Sequence, residues 1–204
     1  MARTPGARNH DFAVKRAALL DALTDYALEA DLRRPSLRQF ALAADITEPT
    51  LRHYFTDRPG VVVAILETIG HRSETIWIQI ATPAASPAEA LAEFFRLTTD
   101  HVHQGRFGRA HAFGLVEGAA CPRASQAYLD HLLEPALDAI CRKLDATPGC
   151  PREPETQRAA ALATLSPVLV MSLHQDLLSG PPLDRLQITA HLEGWLGTAL
   201  ANPA

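Results

Sequence analysis

Residues 36–55, SLRQFALAADITEPTLRHYF, constrain the fold more than any other part of the chain. Ser36-Leu37-Arg38-Gln39 has the form of a capping box. The Ser36 hydroxyl accepts from the Gln39 backbone N–H while the Gln39 side chain reaches back. Leu37, Phe40 and Ala41 then recur at helical spacing, so a short amphipathic helix begins there. Asp45-Ile46 interrupts it, and Thr47 is placed to cap a second helix whose first turn admits Pro49. Leu51 and Phe55 lie four apart and point inward, which leaves Pro49, Thr50 and His53 facing outward with Arg52 and Tyr54 on the flanks. Two short helices joined by a tight turn, the second presenting Thr, Arg, His and Tyr, make a helix-turn-helix.

These residues resemble the DNA-binding segment of the tetracycline-repressor (TetR/AcrR) family of transcriptional regulators. The family pattern appears as Ser36, Ala43-Ala44, Ile46, Thr50-Leu51, Tyr54-Phe55 and Arg58. Four positions depart from it. Asp45 stands for the usual turn glycine, Arg52 for Tyr, Arg58 for Lys, and Asp31 for the glycine that closes the preceding helix. Aspartate tolerates left-handed backbone better than most residues, so Asp31 and Asp45 are compatible with the fold. The resemblance implies that Thr47, Thr50, Arg52, His53 and Tyr54 enter the major groove of double-stranded DNA, while Ser36, Arg38 and Arg58 hold phosphates. Arg58 and the free N–H groups of the helix it opens suit a backbone phosphate.

The charge distribution is consistent with selective rather than bulk binding of nucleic acid. The net charge is −4, with nine Lys/Arg and eight Asp/Glu in residues 1–58, and ten and fifteen in residues 59–204. A near-neutral head on an acidic body suits recognition by a small local surface. Cys121, Cys141 and Cys150 are odd in number without metal-ligand spacing, which reads as reduced thiols in a cytoplasmic protein. The N-terminus has no apolar signal region, and the longest apolar stretch, residues 159–173, is too short to span a bilayer. His101, His103 and His111 form the only histidine cluster, at a spacing that places residues two apart on different helix faces; no metal site and no cofactor is expected. No phosphate-cradling loop, nucleophile elbow or zinc-protease motif is present, so no catalytic residue is nominated.

The rest of the chain reads as helices alone. A first helix over residues 11–30, with Leu19, Leu23 and Tyr26 on one face, braces the helix-turn-helix, and residues 1–10 read as a polar arm carrying Arg3 and Arg8. Thr56 or Asp57 caps a long helix that runs to about Ala81 and joins head to body. Residues 82–87 form a linker with Ser86 as the next cap. Residues 88–103 are apolar on two sides, residues 106–118 form a glycine-interrupted helix, and a longer helix to about Ala146 is kinked at Pro135. The final pair, residues 155–179 (kinked at Pro167) and 183–201, carries enough apolar surface for half of an intermolecular four-helix bundle. Leu173, Ile188, Leu192, Trp195 and Leu196 are its expected interface.

The sequence thus predicts an all-α protein. A three-helix DNA-binding head over residues 1–58 is joined by a long helix to a ligand-binding and dimerisation body over residues 59–204. Imperfect packing in the body favours a cavity lined by Trp77, Phe94, Phe95, Phe107, His111 and Phe113. The expected activity is that of a ligand-responsive regulator, a repressor, which binds a near-palindromic operator as a homodimer and is released by a largely apolar small molecule. The alternative is a helical ligand-binding or enzymatic protein that has lost DNA binding. No membrane partner is expected.

Overall fold

The computed structural model describes residues 5–29, 34–99 and 106–201, and every regular element among them is helical. Helix α1 spans Pro5–Glu29, α2 Leu37–Ala43 and α3 Glu48–Phe55. The capping box forms as the sequence requires: Gln39 N donates to Ser36 Oγ at 3.2 Å, and Ser36 N donates to Gln39 Oε1 at 2.8 Å. Thr47 caps α3 by accepting from Thr50 N. Between the helices Asp45 takes φ 53°, the left-handed turn conformation expected of it. Leu23, Phe40, Leu51 and Phe55 close the small core of this head. One boundary differs from the sequence reading. Residues from Pro5 onward, expected as an arm, already belong to α1, whose first residue has a ring-fixed φ suited to a helix start. Arg3, Asp31, His101 and His103 lie outside the described residues, as does the side chain of Arg8.

The expected long connecting helix is two helices. Asp57 caps α4, Arg58–Arg72, through a 2.7 Å bond from Gly60 N, and α5, Glu74–Ile80, starts after a break at Ser73. The break has a local cause and a tertiary setting. The Ser73 hydroxyl donates to Ile69 O, competing for the last carbonyls of α4. Just before it, Gly70 packs on the His131 carbonyl so closely that a Cβ would meet that oxygen at 2.7 Å.

Helix α6, Pro87–Thr99, follows the linker with Ser86 as its cap. Helix α7 covers Arg106–Gly118 and α8 Pro122–Tyr128. A π-helical turn, Leu129–Leu133, leads from α8 into α9, Glu134–Ala146. Here Pro135 has a use. It supplies no N–H to the His131 carbonyl four residues back, and that carbonyl is the one against Gly70. Helix α10, Pro154–Ser172, contains Pro167 without interruption of its helical assignment and continues into a second π-helical turn, Leu173–Leu177. Helix α11 is Arg185–Ala201.

Glycines in α7 mark close contacts rather than loose packing. A Cβ on Gly114 would lie 2.1 Å from the Tyr128 ring, and one on Gly108 would lie 1.7 Å from Ser172 Oγ. These positions let α7 sit directly against α8 and α10. Gly114→Val is expected to lower stability by about 3 kcal/mol, because the ring that must move is itself buried. Urea unfolding checks this, and an unchanged midpoint would show that the Tyr128 pocket is elastic.

The final helices do not pair as expected. Helix α11 packs mainly along α6 of its own chain, while α10 packs on α9 and α7. Leu196 is therefore buried inside the protomer, and Leu173, Ile188 and Leu192 are half-buried against the core. Trp195 belongs to α11, but its side chain lies outside the described residues. Helix α10 leaves apolar side chains to solvent, with Leu162 47% and Val170 62% exposed. With exposed Ala159 before them and exposed Ala163 and Ser166 between them, they form a single stripe at helical spacing.

Candidate nucleic-acid interface and effector cavity

Helix α3 presents its polar residues outward because Leu51 and Phe55 are fully committed to the core. Thr47, Thr50, Arg52 and His53 are exposed and Tyr54 is half-buried. The hydroxyls of Thr47 and Thr50 lie 2.9 Å apart, so the two capping residues act as one polar edge. Arg38 is exposed on α2. Tyr54 is held by a residue that the sequence pattern alone does not single out: Phe12 of α1 stacks on its ring at 4.8 Å and meets His53 edge-on at 5.6 Å. Arg16 lies 5.0 Å over the Phe55 ring and ties α1 to the same helix.

Arg58 is engaged within the protein. Its Nε donates to Pro35 O at 2.7 Å, while Nη1 and Nη2 grip Glu117 at 2.8 and 2.6 Å. Arg34 lies 3.6 Å from the same carboxylate. Glu117 sits at the end of α7 with its side chain 1% exposed, and the Arg58 side chain is 21% exposed. A carboxylate so deeply placed needs this bidentate partner, so Arg58, expected on a phosphate, is here spent on a latch that ties the start of α4 to the end of α7. Arg123 reinforces the latch by donating to the Asp57 carboxylate at 2.9 Å. The available signal in the sequence was that Glu117 is the lone acid in α7. Ser36 likewise spends its hydroxyl on the capping box.

A cavity of about 570 Å³ opens where α4 breaks into α5. Leu28 of α1, Ile69, Ile76 and Trp77 around the break, Phe107, Ala110 and His111 of α7, and Leu132 give it apolar walls. Trp77, Phe107 and His111 come together on this cavity, with rings 5.8 Å apart between Trp77 and Phe107 and 4.7 Å between Phe107 and His111. Phe94, Phe95 and Phe113 do not line it. They are buried core residues, Phe94 and Phe95 packing against each other at 5.5 Å, because α6 turns its two apolar rows into the body. At the rim, Arg72 is paired with Asp21 and Asp25 at 2.6 and 2.9 Å, and Arg106 lies 3.6 Å from Glu29. The break that creates the cavity is the feature least legible in the sequence.

His111 is completely buried, and burial pushes its pKa down to about 3, so the imidazole is neutral at physiological pH. Its Nδ1 lies 3.0 Å from the Tyr128 hydroxyl, whose own pKa burial raises. Its Nε2 has no hydrogen-bond partner.

Solved structures with the same helical layout cover nearly the whole chain. A protein from Mesorhizobium loti MAFF303099 assigned to the TetR family of transcriptional regulators aligns with TM-score 0.65 at 14% identity, over 98% of both chains. The chain has the TetR fold. A transcriptional regulator from Pseudomonas aeruginosa PAO1 aligns with TM-score 0.62 at 15% identity, covering 90% of this chain and 91% of its own. The ketosteroid transcriptional regulator KstR2 of Mycobacterium tuberculosis aligns with TM-score 0.56 at 18% identity, covering 92% and 95%. At these identities the likeness is one of TetR fold. No family model and no curated protein sequence matches the chain. Among the described residues no helix is long and apolar enough to cross a membrane, and no group of three or more His, Cys, Asp or Glu side chains is arranged to hold a metal ion.

Proposed function

We propose that this chain is a ligand-responsive transcriptional regulator of the TetR type, a repressor that binds a near-palindromic operator as a homodimer. The observation that carries the reading is the outward face of α3. Its polar side chains stand clear of a head whose core is otherwise closed, on a fold that known regulators use. Thr47, Thr50, Arg52, His53 and Tyr54 then read the major groove, with Arg38 on a phosphate. A second copy of the chain is the partner, seated on the apolar stripe of α10. The effector is a small, largely apolar molecule held in the cavity between α4, α5 and α7. The paired state of Arg72 and Arg106 favours a neutral ligand, since a buried charge without a partner is costly. One fold neighbour, KstR2, is named for ketosteroids.

Binding to selected operator DNA tests this reading. Arg52→Ala and Tyr54→Ala are each expected to cost at least about 1 kcal/mol of specific affinity, the scale of one base contact. Affinity should also fall steeply with added salt. Fluorescence titrations that give equal affinity for selected and scrambled duplexes would sink the proposal.

A further inference from the structure

We infer that the effector carries one neutral hydrogen-bonding group, a hydroxyl or a carbonyl, at the end of its apolar body that meets His111. The inference rests on the cavity being the effector site and names the chemistry of what fills it. Trp77, Phe107 and the other apolar lining residues select for shape and hydrophobicity, while Ser73, Thr75 and Gln79 and the ion-paired Arg72 and Arg106 also border the cavity. His111 differs from these polar residues in being completely buried. It lines the cavity, yet Tyr128, the partner of its Nδ1, does not. The ring is therefore anchored from behind, and Nε2 is left on the remaining edge with nothing to bond. Buried polar side-chain atoms rarely go unmatched, and each orphan calls for an explanation. A ligand group that reaches Nε2 supplies the missing bond.

The chemistry of that group follows from the two ends of the pair. If the Tyr128 hydroxyl donates to Nδ1, Nε2 bears the proton and binds a carbonyl or hydroxyl oxygen. If Nδ1 donates to the hydroxyl, Nε2 accepts from a ligand hydroxyl. Both arrangements keep the imidazole neutral, and neither provides a counter-charge for a carboxylate or phosphate. Arg72 and Arg106 do not supply one either, being engaged by carboxylates of α1. Ligand binding at this edge also bears on DNA, since His111 and Glu117 lie on the same helix, and Glu117 holds the first residue of α4.

Isothermal titration of the full-length protein with 2-naphthol, naphthalene and 2-naphthoate tests the idea. These probes share one ring system and differ only in the group offered. The expected result is that 2-naphthol binds about tenfold more tightly than naphthalene, the scale of one hydrogen bond, with 2-naphthoate weakest. In His111→Phe that preference should vanish while naphthalene binds as before. Tyr128→Phe, which keeps Nε2, should retain a preference for the naphthol and so separates loss of the group from loss of packing. Equal binding of naphthol and naphthalene, or a preference that survives in a folded His111→Phe protein, overturns the polar anchor and leaves the cavity standing. If no probe binds at all, the cavity reading falls with it.

Discussion

Replacing Glu117 by alanine is expected to destabilise the protein by about 3 kcal/mol and to loosen the head from the body. The carboxylate is almost fully buried, and its two oxygens receive both terminal nitrogens of Arg58. Removing one member of such a pair leaves the other charge in a poorly solvated site, which costs far more than the intact pair contributes. Arg58→Ala should be damaging for the same reason. The double replacement Glu117→Leu with Arg58→Met should recover much of the loss, because no charge then remains to be desolvated. Urea unfolding of Glu117→Leu, Arg58→Met and their double variant measures the coupling. A coupling below about 0.5 kcal/mol would mean that the two groups act independently. The functional consequence is separable. In a regulator whose heads must sit at a fixed spacing, a loosened latch weakens operator binding even though no DNA contact has been touched. If Arg58 were instead a phosphate contact, Arg58→Ala would reduce the salt dependence of DNA binding and leave stability unchanged.

A charge placed on the outer stripe of α10 should have an equally large effect by a different route. Leu162→Glu and Val170→Glu are each expected to give folded monomers that no longer bind operator DNA at concentrations where the unmodified protein does. Both side chains face solvent in the protomer, so neither change creates a buried charge during folding. In a twofold interface each substitution appears twice, so one mutation introduces two unpaired carboxylates. Two heads must also engage half-sites about 34–36 Å apart, or a multiple of that, so a monomer forfeits the second half-site. Light scattering on the same samples gives the assembly state. The proposal fails if the unmodified protein is monomeric at micromolar concentration, or if both variants remain dimers. Leu192→Glu is a poorer probe, because Leu192 packs against the protomer core and its replacement would test folding as well.

The head was legible from local chemistry alone. Capping at Ser36 and Thr47, the left-handed turn at Asp45, and the inward pair Leu51 and Phe55 all depend on residues within about four positions of one another. Local hydrogen bonds and helical periodicity specify such features without reference to residues distant in the chain. The extent of α7 and the caps at Asp57 and Ser86 were readable for the same reason. What the sequence left open depends on partners distant in the chain. Arg58 and Glu117 are 59 residues apart, and nothing local to Arg58 distinguishes a buried ion pair from a phosphate contact. The α4–α5 break combines a serine that bonds its own helix with a glycine pressed against the distant His131 carbonyl. The cavity opens at that break. Helix α11 likewise chose α6 over its sequence neighbour α10, because apolarity around a helix says how much surface must be covered but not by what. Hydrophobicity has no direction, so the tertiary structure alone decided which aromatic rings became cavity wall, which became core, and which apolar stripe was left facing out.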